Sequence, residues 1–158
     1  MFTVGDILDL AILIENNGET VYRDAAKKIS NLSLISMLQW LADEEAEHAE
    51  RFGEMKEKAE KTIDDPKLEE MGRDIFLGVF GDQSFSLQDA DFIKINEVKN
   101  LLSVAIEFEK DTVLFYEMLL SFIDGEETKD GLKTIITEEN EHIRKLQEFL
   151  DSELETDA

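Results

Sequence analysis

Two short stretches decide the fold. Residues 43–48 read DEEAEH and residues 137–142 read TEENEH. The chain has two histidines, and each closes the same phrase, as Glu45-x-x-His48 and Glu139-x-x-His142. A single Glu-x-x-His would mean little in so acidic a chain, but two copies that use both histidines indicate a repeated functional element.

The repeat extends well beyond these two phrases. Sliding the sequence on itself by 94 residues also places Glu15 on Glu109 and Tyr22 on Tyr116. Apolar residues recur at helical spacing almost throughout, and no segment alternates convincingly with the period of a strand. We therefore predict an all-α protein, a four-helix bundle built from two duplicated helical hairpins.

The chain is predicted to form a single domain over residues 1–158. The long helices are predicted at residues 4–30, 33–62, 97–124 and 128–154. A crossover of about residues 63–96 joins the hairpins and carries a short extra helix, and residues 151–158 form an acidic tail. The apolar part of this insert either covers the bundle or forms a subunit contact.

Local signals mark several helix ends. Thr3 and Asp6 have the spacing of a capping box at the start of the first helix. Ser33 is the predicted cap of the second helix. Gly125 is predicted to stop the third helix, because glycine is favoured just past a helix end.

Polar residues interrupt the apolar inner faces of all four helices. Positions three and four apart share a helix face, so Glu45 and His48 lie on the same stripe as Leu41 and Phe52. The repeat gives the fourth helix the same pattern, and the first and third helices each carry one inward glutamate. The inward polar set is Glu15, Glu45, His48, Glu109, Glu139 and His142.

Four buried carboxylates are unfavourable without a cation, because each loses its hydration and all repel one another. Two divalent ions would neutralise them, and carboxylates can bridge a pair of metals. Oxygen and imidazole ligands suit iron or manganese, and affinity alone does not exclude zinc. We predict that the six residues hold two iron ions, with manganese or zinc as open alternatives.

Other polar and aromatic residues are assigned less specific roles. Tyr22 and Tyr116 lie two turns beyond Glu15 and Glu109 on the same faces, where each hydroxyl either bonds a ligand carboxylate or finds a backbone partner. Trp40 is predicted to be a packing residue. Four further acids are predicted to be solvated: Glu44, Glu47, Glu138 and Glu141.

Composition narrows the classes of partner. Lys and Arg number 16 against 38 Asp and Glu, a net charge of −22 that disfavours binding to nucleic acid or to anionic lipid. Cysteine is absent, so disulfides and cysteine-ligated metals are excluded. No stretch approaches the ~18 apolar residues of a membrane span. We expect no membrane contact and a cytoplasmic location.

Together, these motifs resemble the ferritin-like superfamily of di-iron carboxylate proteins. The phrases at residues 105–110 and 115–116 are most similar to its rubrerythrin branch, and the likeness covers about residues 5–150. The resemblance implies a non-haem di-iron centre, held by the six residues above, that reacts with hydrogen peroxide or dioxygen in oxidative-stress defence. It also implies a homodimer or a larger homo-oligomer.

Two departures from the rubrerythrin pattern bear on function. Rubrerythrins usually carry a four-cysteine rubredoxin site that supplies electrons, so this chain would need an external electron-donor protein. They also carry another inner glutamate where this chain has Thr112. Three hypotheses remain: a peroxidase-type redox enzyme, which we favour, a ferroxidase or iron-handling protein, and a non-catalytic helical binding module.

Overall fold

The structure is a computed structural model that describes residues 3–58, 67, 70, 71, 73, 74 and 95–156. Four long helices occupy these ranges: α1 is Val4–Ala26, α2 is Leu32–Lys58, α3 is Ile95–Leu120 and α4 is Glu126–Thr156. No strand occurs among the described residues. The all-α prediction is confirmed. The predicted crossover and its short helix lie almost wholly outside the described residues.

The start of α1 follows the sequence signal closely. The Thr3 hydroxyl accepts a hydrogen bond from the Asp6 amide at 3.1 Å, and the Thr3 amide donates to the Asp6 carboxylate at 2.9 Å. This is the predicted capping box, which satisfies amides that a helix start leaves free. The helix ends at Ala26 rather than near residue 30. Ile29 packs against the core from the loop, so the apolar pattern of the sequence continues beyond the helix.

Asn31, not Ser33, caps α2. The Asn31 side-chain oxygen accepts from the Leu34 amide at 3.1 Å, and its carbonyl accepts from the Ile35 amide at 2.9 Å. Asparagine caps helices as well as serine does, so the residue placed at the turn decides which is used. The helix therefore begins at Leu32, and Ser33 lies within its first turn.

Gly125 starts α4 instead of stopping α3. α3 ends at Leu120 and is followed by a short turn in which the Phe122 amide bonds the Leu119 carbonyl at 2.9 Å. Gly125 has a φ of 91°, and its carbonyl accepts from the Lys129 amide at 3.1 Å. The positive φ explains why glycine is favoured here. The residue lies at the start of the fourth helix, not at the end of the third.

The helices pack as two hairpins, α1 with α2 and α3 with α4, and α2 also contacts α4. The predicted stripes form the core, and six of their apolar members are fully buried: Leu38, Leu41, Phe52, Leu132, Ile135 and Leu146. Within the described part of the chain, no helix has the length and apolar character needed to cross a membrane. Every helix of the bundle therefore also buries polar residues among these apolar ones.

Candidate metal centre

All six predicted ligands lie in the interior of the bundle. α1 supplies Glu15 and α3 supplies Glu109, while α2 and α4 each supply a glutamate and the histidine one turn later. None is more than 1% exposed: Glu15, Glu45, His48, Glu109, Glu139 and His142. Such burial of charged groups is rare unless they are paired or coordinate a metal.

The six side chains form two overlapping groups, each of four residues with ligand atoms within 4.8 Å of one another. One group contains Glu15 and His48, and the other contains Glu109 and His142. Glu45 and Glu139 belong to both groups. The geometry therefore offers two neighbouring metal positions with two carboxylates between them.

Both imidazoles turn the same nitrogen toward the four inner carboxylates. His48 Nδ1 lies 2.7 Å from Glu139 Oε1 and 3.5 Å from Glu15 Oε1. His142 Nδ1 lies 3.3 Å from Glu139 Oε2, 3.5 Å from Glu45 Oε1 and 3.7 Å from Glu109 Oε1. The two rings are nearly parallel, with centroids 5.8 Å apart. Nδ1 is thus the nitrogen that each histidine offers to the centre.

Protons balance part of the negative charge among these groups. Burial lowers the pKa of His48, but hydrogen bonds to Glu139 and Glu15 outweigh it and raise the pKa to about 12. Burial likewise opposes protonation of His142, but the nearby carboxylates of Glu109 and Glu139 outweigh it and raise its pKa to about 11. Burial and neighbouring carboxylates raise the pKa of Glu109 to about 7. These raised pKa values favour protonated imidazoles among the buried carboxylates.

Tyr22 and Tyr116 bond ligand carboxylates across the bundle. The Tyr22 hydroxyl donates to Glu109 Oε1 at 2.8 Å, and the Tyr116 hydroxyl donates to Glu15 Oε1 at 2.7 Å. Burial and the adjacent carboxylates raise the pKa of both tyrosines well above its usual value, so both remain donors. Each hairpin thereby orients a carboxylate of the other, which decides the alternative that the sequence left open.

Glu138 is not a solvated acid, contrary to the prediction from its helix position. Its Oε2 atom lies 2.8 Å from His48 Nε2 and accepts from Arg51 at 2.9 Å. Glu44 is also partly buried, with Oε1 at 3.8 Å from His142 Nε2. The sequence carried a usable signal, because an acid stands directly before the ligand glutamate in both copies. Glu47 and Glu141 lie at the surface as predicted, bonded to Arg51 and Arg144.

Trp40 does more than fill the core. Its ring meets the His142 ring edge to face, with centroids 5.1 Å apart, and Lys145 Nζ lies 4.8 Å from the centroid of the tryptophan ring. The tryptophan therefore packs against the second histidine, whose Nε2 atom is too far from Glu44, at 3.8 Å, for a hydrogen bond.

The donor atoms suit metal ions. One oxygen of each inner carboxylate lacks a hydrogen-bond partner, as do both nitrogens of His142. Buried polar atoms seldom remain unpaired, and carboxylate oxygen with imidazole nitrogen is a ligand set for iron, manganese or zinc. The residues present fit a pair of such ions.

Four helices that direct two glutamates and two Glu-x-x-His motifs to one buried centre define the ferritin-like carboxylate class. The chain belongs to the rubrerythrin family, whose sequence model matches residues 6–150. The fold is similar to that of a Thermotoga maritima protein described as ferritin-like and diiron-carboxylate, solved at 2.30 Å, with 30% identity, a TM-score of 0.76 and 95% coverage of each chain. Among curated proteins there is no significant match.

Proposed function

We propose that the protein is a di-iron redox protein that reduces hydrogen peroxide, or reacts with dioxygen, using electrons from an external donor. The observation that carries this proposal is the pair of overlapping buried groups that share Glu45 and Glu139. A shared pair of carboxylates is what two adjacent metals need if they are to act on one small molecule together.

Charge supports two divalent ions. Four carboxylates with neutral imidazoles would carry four negative charges in a site that excludes water, and two divalent ions would cancel them. Iron is favoured over manganese and zinc because the chain belongs to the rubrerythrin family and a protein of similar fold is described as diiron-carboxylate. Iron also changes oxidation state, which zinc does not.

The chain's own residues would hold and orient this centre. His48 and His142 supply Nδ1, the four glutamates supply oxygen, and Tyr22 and Tyr116 fix Glu109 and Glu15 in place. When bound, two ferrous ions supply the two electrons that reduce one peroxide. The apolar core around them limits water, so charges at the site are weakly screened.

Electron supply is proposed to be external. The 158 residues contain no cysteine, so the chain holds no cysteine-ligated iron site to re-reduce the centre. An acidic surface with a net charge of −22 would favour a donor protein with a basic contact face. The cytoplasmic location and the homo-oligomeric state stay predictions.

Iron handling is the second candidate, and the same negative charge favours it, because an acidic surface concentrates cations. In that case the centre would oxidise ferrous iron and release ferric iron repeatedly. The two functions differ in stoichiometry: a redox enzyme retains its metal pair, whereas a ferroxidase turns over many irons per chain.

The test is an anaerobic titration with Fe(II), followed by one equivalent of hydrogen peroxide and measurement of ferric absorbance. We expect saturation at two irons per chain and oxidation much faster than that of free Fe(II). Glu45→Ala should abolish both, whereas Glu47→Ala, on the same helix but 51% exposed, should change neither. Uptake that continues far beyond two irons would favour iron handling, and oxidation indifferent to Glu45 would refute a di-iron redox centre.

A further inference from the structure

The two halves of the centre differ at one inner position. The 94-residue offset that pairs all the ligands also pairs Gly18 with Thr112. A Cβ atom at Gly18 would lie 3.1 Å from Glu45 Oε2 and 3.3 Å from its Cδ, so a side chain there would press on a ligand carboxylate. The second half instead carries a threonine that is only 1% exposed.

The Thr112 hydroxyl has no hydrogen-bond partner in the structure. Threonine within a helix commonly donates to the carbonyl four residues earlier. Thr20, Thr134 and Thr137 do so, to the carbonyls of Asn16, Asp130 and Lys133 at 3.0–3.1 Å. Thr112 departs from this pattern although it is buried, where an unpaired hydroxyl is unfavourable.

Its position on α3 places it beside the metal ligands. Thr112 lies three residues after Glu109 and four before Tyr116, on the same inward face. The Tyr116 hydroxyl is already bonded to Glu15, and Glu109 Oε1 already accepts from Tyr22. The threonine hydroxyl is therefore a donor next to the centre that neither its own helix nor the neighbouring carboxylates use.

We propose that Thr112 donates a hydrogen bond to a small anion bound at the metal pair on the α3 side, making this the side where an exogenous ligand docks. Gly18 leaves the opposite side without a matching donor. Thr112 is thus a positioning residue for the incoming oxidant. The inference rests on the proposed function, because it requires that the centre bind metal.

Azide binding to the cobalt(II)-loaded protein tests this assignment, with affinity read from the visible absorption of cobalt. Thr112→Val removes the hydroxyl at nearly constant shape and should weaken azide binding by about tenfold or more, as expected for loss of one bond to a charged group. Thr112→Ser should restore the wild-type affinity. Thr134→Val, on the exposed surface of α4, should leave it unchanged.

Equal azide affinity in wild type and Thr112→Val would overturn the proposal, and so would a Thr112→Ser variant as weak as Thr112→Val. If Thr112→Val does not give a cooperative melting curve, Thr112→Ala against Thr112→Ser makes the same comparison. The assay involves no peroxide and no change of oxidation state. A protein that binds cobalt and azide as expected, but whose iron form reacts with neither peroxide nor dioxygen, would refute the proposed function and leave this inference standing. Failure to bind any metal would overturn both.

Discussion

The hairpin α1–α2 and the hairpin α3–α4 supply the same inward groups but hold their histidines differently. His48 is bonded on both nitrogens, by Glu139 within the centre and by Glu138 outside it, and Arg51 anchors Glu138 in turn. His142 has no comparably short contact and packs edge to face with Trp40. The two halves thus share the same inward groups and differ in what surrounds them.

The two halves share some features of the site and differ in others. The tyrosine bonds cross the bundle in both directions with nearly equal lengths, 2.8 and 2.7 Å. The outer histidine contacts and the residues at positions 18 and 112 are free to differ. Symmetric features should therefore govern whether metal binds, and asymmetric features should govern how each position behaves.

The largest effect is expected from the two shared carboxylates. Glu45→Gln or Glu139→Gln should abolish binding at both metal positions, because each residue belongs to both groups. Glu15→Gln or Glu109→Gln should remove only one metal. Metal content after anaerobic loading and desalting distinguishes two, one and zero ions per chain. Equal losses of metal in all four variants would contradict the division into two metal positions. Glu47→Gln is the surface control and should keep both ions.

The outer contacts of the histidines should give the next largest effect. Glu138→Gln should weaken cobalt(II) binding by about 10–100-fold, because the carboxylate that orients His48 loses its charge. Glu44→Gln should cost clearly less, since its oxygen lies 3.8 Å from His142 Nε2. Competition with a chromophoric chelator measures both affinities. Similar losses of cobalt(II) affinity for both substitutions would show that the two halves hold their metals alike.

Gly18→Ala should weaken metal binding by about tenfold, as a displaced ligand carboxylate forfeits about 1.4 kcal/mol of interaction. The new methyl group would lie 3.1 Å from Glu45 Oε2 and push it from its place. Gly53→Ala is the matched control, because no atom lies within 4 Å of its Cβ position. That control should leave metal affinity unchanged and stabilise α2 by about 0.5–1 kcal/mol. Undiminished metal affinity in Gly18→Ala would show that the Glu45 carboxylate does not need glycine at this position.

Both halves should respond alike to pH. The folded protein raises the pKa of His48 to about 12 and that of His142 to about 11, from an ordinary 6.5. Below pH 6.5 this stabilisation is present in full, and it is lost as pH rises toward the folded values. The raised pKa of Glu109, about 7, acts in the same direction.

The metal-free protein should therefore melt at lower temperature as pH rises from 6 to 8.5, roughly a few degrees for each kcal/mol lost. Metal binding displaces these protons. The melting temperature of the metal-loaded form should therefore rise relative to that of the metal-free form over the same pH range. Paired melting curves in chelator and in cobalt(II) measure the difference. A gap that stays constant or narrows with pH would contradict the proton arrangement described for the site.

Much of this architecture could be predicted from the sequence because it rests on periodicity. The 3.6-residue pattern and the 94-residue offset together indicated the four helices and the convergence of Glu45 and His48 with their copies. Helix ends were less certain, since Asn31 and Ser33 are both good caps and only the folded turn decides between them. Ile29 misled in the same way, by being apolar outside the helix.

Contacts between helices lay beyond the reach of periodicity. Glu138 stands off the inner stripe of its own helix, yet the neighbouring helix brings His48 and Arg51 to it. The place of Trp40 against His142 likewise depends on how α2 and α4 approach each other. A pattern within one helix identifies the face, whereas partners on that face are set by packing.

The most direct measurement is anomalous diffraction at the iron edge from crystals of the iron-loaded protein. We predict two peaks inside the bundle, one beside Glu15 and His48 and the other beside Glu109 and His142, with Glu45 and Glu139 in contact with both. A single peak, or iron found only at surface acids, would contradict the claim that the duplicated halves build one dinuclear centre.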